Sequence, residues 1–421
     1  MSHRRWMIFG ICASLILMSL FYRASSAVIA PNLVADLNLG PHDLGLMGAA
    51  FFYSFAIIQL PLGPFLDRIG PRITISALNF VAALGAVIFA HASGITGGVI
   101  GRALLGVGMA ANLMGPLKLL NNWFDLRKFA TLSGLLLSIG TVGSLAATTP
   151  LAMLVESLGW RTSFCSLAGL NAFLAIWVVI IIRDVPSGKK RRVHVLQEKS
   201  GGSSISASLK TLFSSWNYWA ISLSTFFRYG SYAAIQSLWA GPFLIEYLKL
   251  PPVAAGNLLF MISFGLILGF PFSGLTSDRF LRSRKKAIIA GISLSALATL
   301  AFSQWRGTSH LMILGFLLFV IGFSNGFGQV MYAHIKDLMP KEMSGTAMAG
   351  INFFTMMGGG VFIHLLGVIM EHMSPGIAVA GEGYRSSFLL CFGAMVAAVA
   401  IYLTTREPSV YAESLKKEQT G

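Results

Sequence analysis

Charge is what this chain has least of. Only 11% of its 421 residues are Asp, Glu, Lys or Arg, against about 25% in a soluble domain. So few polar groups cannot cover a surface that faces water, and a soluble fold is excluded. Acid is scarcer still: 16 carboxylates stand against 31 basic residues. The three cysteines, Cys12, Cys165 and Cys391, lie singly in apolar segments, which excludes a disulfide framework. Metal-ligand spacing, a phosphate-binding glycine loop and a nucleophile motif are missing too. An enzyme, a cofactor and ATP-driven pumping on this chain are therefore not expected.

What fills the sequence instead is apolar residue, 55% of the total, in runs that match the roughly 20 residues needed to cross a hydrocarbon core. Twelve helical stretches are expected at about 6–33, 44–66, 73–90, 97–121, 129–153, 163–182, 217–245, 252–275, 287–305, 311–335, 345–370 and 386–404. A net charge of +15 would suggest nucleic acid in a soluble protein, but the placement of the charges argues otherwise. With the N-terminus inside, 23 of the 31 Lys and Arg fall at cytoplasmic ends or loops. Arg161, Lys249, Arg306 and Arg385 fall outside, and four more lie within stretches. That asymmetry orients a multi-pass inner-membrane protein with both termini cytoplasmic. Its partner is the lipid bilayer, not nucleic acid, and a monomer is expected. Ala24-Ser25-Ser26-Ala27 after an apolar run resembles a signal-peptide cleavage site, but Arg23 directly before it argues against cleavage.

The two halves repeat each other. Phe21-Tyr22-Arg23 matches Phe226-Phe227-Arg228, GPFLDR at 63–68 matches GLTSDR at 274–279, Gly134 matches Gly350, and GWRTSF at 159–164 matches GYRSSF at 383–388. The reading is an all-α membrane protein of twelve transmembrane helices in two pseudo-symmetric six-helix bundles. The first bundle is 1–182 and the second 217–404, with a basic cytoplasmic linker at 183–216 and a tail at 405–421. Substrate sites in such repeats lie near the midplane.

GPFLDRIGPR at 63–72 fits the GxxxDRxGxR signature between helices 2 and 3 of the major facilitator superfamily, and Arg102 with Gly106 and Gly108 resembles that family's RxxxGxG element. By this resemblance Gly63, Asp67, Arg68 and Arg72, with Asp278 and Arg279 in the second copy, form a conformational gate. From the residues alone, Gly63 suits a close helix contact, and Asp67 suits hydrogen bonds from Arg68 and Arg72. Stretch 5 lacks the Gly-Pro pair of the family's drug exporters.

Four basic residues sit inside stretches: Arg23, Arg102, Lys118 and Arg228, while every carboxylate falls at an end, a loop or a tail. A central Arg or Lys costs about 2.5–3.5 kcal/mol in a membrane helix, so it faces a cavity or a partner. Arg23 lies roughly 25 Å into stretch 1 and Arg228 roughly 17 Å into stretch 7, at matching places. Two guanidiniums without acids invite an anion, held through paired hydrogen bonds. The alternative is that each bonds main-chain carbonyls. The pattern resembles the organophosphate:phosphate antiporters and the wider anion:cation symporters, whose helix 1 and helix 7 arginines engage the anion. Tyr22 stands where the sugar-acid symporters often carry an acid.

Tyr232 and Gln236 follow Arg228 at four-residue intervals with Trp239 near the same face and Tyr229 beside it, a stripe suited to a hydroxylated or partly apolar anion. Asn112, Gln329 and Asn352, with Tyr53, Gln59 and Asn325, are further polar residues that either line a cavity or bond between helices. By the resemblance Arg102 supports stretch 1 near its break. Lys118 and His334 occupy matching places and form either a cytoplasmic-side anion relay or, for Lys118, a snorkelling charge. His334 and His364 are the titratable groups within stretches and the candidate proton carriers. The expected function is secondary transport of a small organic anion, a carboxylate or phosphorylated metabolite, coupled to a proton or an exchanged anion. The rivals are a drug or metabolite exporter of the same fold and a transporter-like sensor.

Overall fold

The computed structural model describes residues 2–124, 126–186, 212–339, 343–373 and 381–407, all helix and connecting turns with no strand among them. Residues 187–211 of the predicted linker and 408–421 of the predicted tail lie outside this set. The helices are α1 (Ser2–Ala24), α2 (Ser26–Leu37), α3 (Pro41–Arg68), α4 (Pro71–Ala90), α5 (Ile95–Met109), α6 (Ala111–Trp123), α7 (Leu126–Ala146) and α8 (Thr149–Ile181). After the linker come α9 (Trp216–Ala234), α10 (Pro252–Leu275), α11 (Arg284–Ser303), α12 (Leu311–Asn325), α13 (Gly328–Leu338), α14 (Ser344–Met373) and α15 (Gly381–Leu403).

Every one of the twelve stretches falls on helix, but four are broken, stretch 5 among them, between Ala146 and Thr149. Stretch 1 is α1 and α2, interrupted at Ser25; stretch 4 is α5 and α6, interrupted at Ala110; stretch 10 is α12 and α13, interrupted at Gly326 and Phe327. Stretch 7 runs from α9 into two π-helical turns, Ile235–Trp239 and Phe243–Tyr247. Among the described residues, ten helical segments are long and apolar enough to span a membrane.

The loop expected at 154–162 is absent. Helix continues to Leu158 and resumes at Trp160, and the reversal is made by Gly159 alone, at φ 76° and ψ 157°. Only glycine adopts that backbone conformation without steric cost.

The chain divides into two compact units, Met1–Gly202 with Ser237–Asn257, and Ser203–Gln236 with Leu258–Gly421. The first has a core of Leu15, Ile75, Leu119, Leu136 and Val178. The second has one of Ile221, Ile292, Met331, Ile351 and Met395. Stretches 1 to 6 build the one, and stretches 7, 9, 10, 11 and 12 the other. Large apolar side chains also face outward, Met312 at 92% and Ile180 at 68% exposure, as suits a surface bathed in lipid. Since lipid tails are as apolar as leucine, helices associate through small residues. Gly106 is such a point: a Cβ there would stand 2.2 Å from the Phe51 carbonyl oxygen. Gly63 is not. It opens onto free space, so the close contact expected of it belongs to Gly106 instead.

At the end of α2, Asp36 accepts from the Trp160 indole at 2.9 Å and pairs with Arg161, whose guanidinium lies 4.4 Å from the Trp160 ring. The indole bond, followed by Arg161, holds the Asp36 carboxyl below its ordinary value of 3.8. A depressed carboxyl contributes stability above its unfolded pKa and loses it as pH falls through the folded one. The pair is about two-fifths exposed, so the contribution is under about 1 kcal/mol. Asp36→Asn is therefore expected to lower the melting temperature slightly at pH 7. The difference from the parent should shrink as pH falls below the ordinary carboxyl value of 3.8 and vanish once the folded-state carboxyl is protonated, as a thermal-shift pH series would read.

Candidate functional site

In the first unit the polar groups gather at the helix breaks. A helix interrupted within a membrane leaves carbonyls that must find donors inside the protein. At the Ser25 break the Tyr22 carbonyl accepts from Ser25 Oγ and from Arg102 Nη1, each at 3.1 Å. Arg102 is 1% exposed, and its guanidinium carbon lies 5.0 Å from the centre of the Phe51 ring and 6.0 Å from that of Phe89. Phenyl faces lend a desolvated cation partial compensation. At the Ala110 break, Gln59 Nε2 donates to the Ala110 carbonyl at 3.1 Å and Ser19 Oγ to that of Met109 at 3.4 Å.

Arg23 is half-buried and stacks on Phe55, its guanidinium carbon 5.0 Å from the ring centre. Tyr22 does not share that setting. Successive helical residues point about 100° apart, and Tyr22 is fully buried with its ring 6.1 Å from that of Phe164. Asn112 is also withdrawn. It exchanges hydrogen bonds of 2.8 and 3.1 Å with Asn79, whose carbonyl accepts from Asn171. This is interhelical bonding, the other use open to such residues.

In the second unit Arg228 is 4% exposed. Its Nη1 donates to the Asn325 main-chain carbonyl at 3.1 Å and to the Asn325 side-chain oxygen. Asn325 is the last residue of α12, so Arg228 serves the break of stretch 10 as Arg102 serves that of stretch 1. Beside it, Tyr332 donates to Asn352 Oδ1 at 3.2 Å and meets Thr355 Oγ1 at 3.3 Å, and Thr355 meets Thr225 at 3.2 Å. The Tyr229 and Tyr232 rings lie 6.0 Å apart, and Gln236 Nε2 donates to Ser263 Oγ at 3.3 Å. Gln329 is exposed and Asn352 half-buried.

The predicted four-residue stripe ends at Gln236. The π turn starting at Ile235 winds more residues into each turn than an α-helix, and Trp239, fully buried, belongs with the first unit.

At the first loop motif, Asp67 is held by Lys118, which also donates to the Leu66 carbonyl at 2.6 Å. Arg72 does not reach Asp67. Its guanidinium bonds the Val179 carbonyl at 2.9 and 2.6 Å, and its main-chain N–H donates to Asp184 Oδ1 at 2.8 Å. Arg68 is exposed. In the second copy Asp278 pairs with Arg284 at 2.6 Å, which also reaches Asp337 at 3.3 Å, while Arg279 is exposed. Glu407 accepts from Ser283 Oγ at 2.7 Å and Arg284 N at 2.8 Å.

Asp184 and Glu407 thus place a carboxylate at the N-termini of α4 and α11, where the helix dipole favours it. Sequence reasoning missed both, although Arg183-Asp184 and Arg406-Glu407 are a further matched pair, followed by Val185-Pro186-Ser187 and by Pro408-Ser409. Lys118 and His334 each bond within their own unit. Lys118 is spent on Asp67, and His334, fully buried, bonds the Tyr402 hydroxyl and the Arg406 carbonyl. His364 is half-buried in α14.

This arrangement of broken helices in two repeats agrees with comparison to known proteins. The family model of the Major Facilitator Superfamily matches residues 11–238 and again 221–420. The chain belongs to that superfamily. It is an all-α, multi-pass membrane transporter and not an enzyme. A probable galactarate/D-glucarate transporter of Bacillus subtilis is 26% identical over 94% of this chain and 90% of its own length. A probable L-galactonate transporter of Escherichia coli is 24% identical over 90% of this chain and 84% of its own. A probable hexose phosphate transport protein of Chlamydia pneumoniae is 22% identical over 91% and 87%. Among solved structures, a bacterial homolog of the lysosomal transporter Spinster superposes with a TM-score of 0.77 at 17% identity, covering 95% of this chain and 96% of that one. A D-xylose–proton symporter gives 0.76 at 16%, covering 96% and 98%. These two establish the fold alone.

Proposed function

We propose that this superfamily member carries a small organic anion, a hydroxylated carboxylate or a sugar phosphate, by alternating access across the inner membrane, with its termini in the cytoplasm. Arg23 and Arg228 take the anion's charge. The observation that carries this reading is Arg228: a guanidinium almost wholly buried in lipid-embedded protein whose bonds go to neutral oxygens of Asn325. A buried cation without a counter-charge is costly, and an arriving anion supplies the charge. The relatives with sugar-acid and hexose phosphate names support the substrate class. The hydroxyl and amide chain of Tyr332, Asn352, Thr355 and Thr225 suits a polyhydroxylated body. Because the stretches hold no interior carboxylate, exchange against a second anion is favoured over proton symport.

The test is a thermal-shift screen of the purified protein with D-glucarate, L-galactonate, glucose 6-phosphate and tetraphenylphosphonium. A ligand at 100 times its Kd stabilises by about 2.7 kcal/mol, which the screen resolves. Stabilisation by at least one anion and none by the lipophilic cation is expected. The reverse would replace this reading with the exporter.

A further inference from the structure

The second unit shows more about Arg228 than its burial. Both of its recorded hydrogen bonds leave from one nitrogen, Nη1, and both end on Asn325. The buried Nε has no protein acceptor. Nε and Nη2 form the other edge of the guanidinium, the side-on fork that matches the two oxygens of a carboxylate or phosphate. Buried donors in folded proteins are nearly always satisfied, and an exception asks for a water, an ion or a ligand.

The plane of the fork is set by two neighbours. Asn325 grips Nη1 from the end of α12. Gly328, the first residue of α13, lies so close that a Cβ there would stand 2.1 Å from Nη2 and 2.5 Å from the guanidinium carbon. The main chain at the break of stretch 10 is thus brought against Arg228, and only a residue without a side chain leaves the guanidinium where it is. Tyr229, Tyr232 and Tyr332 stand around it within electrostatic range, bringing hydroxyl groups and no acid.

We propose that Asn325 and Gly328 are positioning residues, which hold the guanidinium of Arg228 so that its Nε–Nη2 edge is the one that meets the substrate's carboxylate or phosphate group. This rests on the anion-transport reading and goes beyond it by naming the edge that binds and the residues that orient it. It also makes the break between α12 and α13 part of the binding site. An anion drawn onto the fork pulls on a guanidinium already bonded to that break, so binding is felt by the bend of stretch 10.

Three variants test it, with D-glucarate and glucose 6-phosphate as probes, reading dissociation constants by thermal-shift titration beside the ligand-free melting temperature. Asn325→Asp puts a fixed carboxylate on Nη1 and neutralises the cation. It is expected to weaken both probes by more than about 30-fold while the ligand-free protein melts no lower than the parent. Asn325→Ala frees the guanidinium to swing and should weaken binding about tenfold. Gly328→Ala pushes Nη2 aside and should do the same. If Gly328→Ala is not recovered folded, the two Asn325 variants decide. Parent-like affinities in both Asn325 variants would overturn the assignment and leave the transport reading intact. A parent protein unmoved by either probe, and by the other anions of the screen, would remove both.

Discussion

Arg23→Gln and Arg228→Gln are each expected to cut anion uptake into proteoliposomes by two to three orders of magnitude, and for different reasons. Removing one partner of a desolvated charge pair costs about 2–5 kcal/mol, a factor of roughly 30 to several thousand. Glutamine keeps an amide donor but is two bonds shorter and discards the charge and the paired donors of the fork, so uptake should not recover at saturating anion. Arg23 is half-buried and stacked on Phe55. Its replacement should leave the ligand-free melting temperature nearly unchanged. Arg228 also holds the Asn325 carbonyl at the break of stretch 10, so its replacement should lower that temperature as well. Lysine at either position restores charge but not the fork, and should recover only part of the uptake. An Arg23→Gln protein that carries D-glucarate or glucose 6-phosphate like the parent would take Arg23 out of the site.

The fold was legible because its determinants are local and repeated. Run length and basic asymmetry marked the twelve stretches, and the matched triplets around Arg23 and Arg228 marked the halves. The reversals were not. A nine-residue loop expected between stretches 5 and 6 shrank to Gly159, since a single glycine at positive φ turns the chain when both flanks are helical. The ends of stretches 1 and 7 hid a further correspondence, Leu37-Asn38-Leu39 against Leu248-Lys249-Leu250. Asn38 and Lys249 share a left-handed backbone, φ 52° and 57°, and hydropathy carries no trace of that.

The candidate site was legible as chemistry and less so as geometry. That Arg102, Lys118, Arg228 and His334 matter follows from the cost of burying them. Which partner each would find did not follow, because the partners are mostly main-chain carbonyls at helix breaks. Tyr22, Asp67, Asn325 and Ala110 supply or adjoin those carbonyls, and a carbonyl is invisible in a list of side chains. The stripe from Arg228 to Trp239 failed for a related reason: it assumed α-helical spacing through Ile235–Trp239, which is wound as π-helix.

The largest stability effect should come from Arg102. Its Nη1 serves the Tyr22 carbonyl at the break of stretch 1, and its plane sits by Phe51 and Phe89. Arg102→Ala removes a donor that Ser25 Oγ replaces only in part, and empties the space between two rings. Cavity and lost bond together should cost about 3–5 kcal/mol, a fall of roughly 5–10 °C in melting temperature. Arg102→Met separates the two contributions, because it fills most of the volume and donates nothing. Arg102→Lys keeps charge and one donor, but has no plane to lay against the phenyl faces. The expected order of melting temperature is parent, lysine, methionine, alanine, read by fluorescence-detected gel filtration after heating. A methionine protein as stable as the parent would mean that packing alone holds the break. The arginine would then be a tenant of stretch 4 and not its strap to stretch 1.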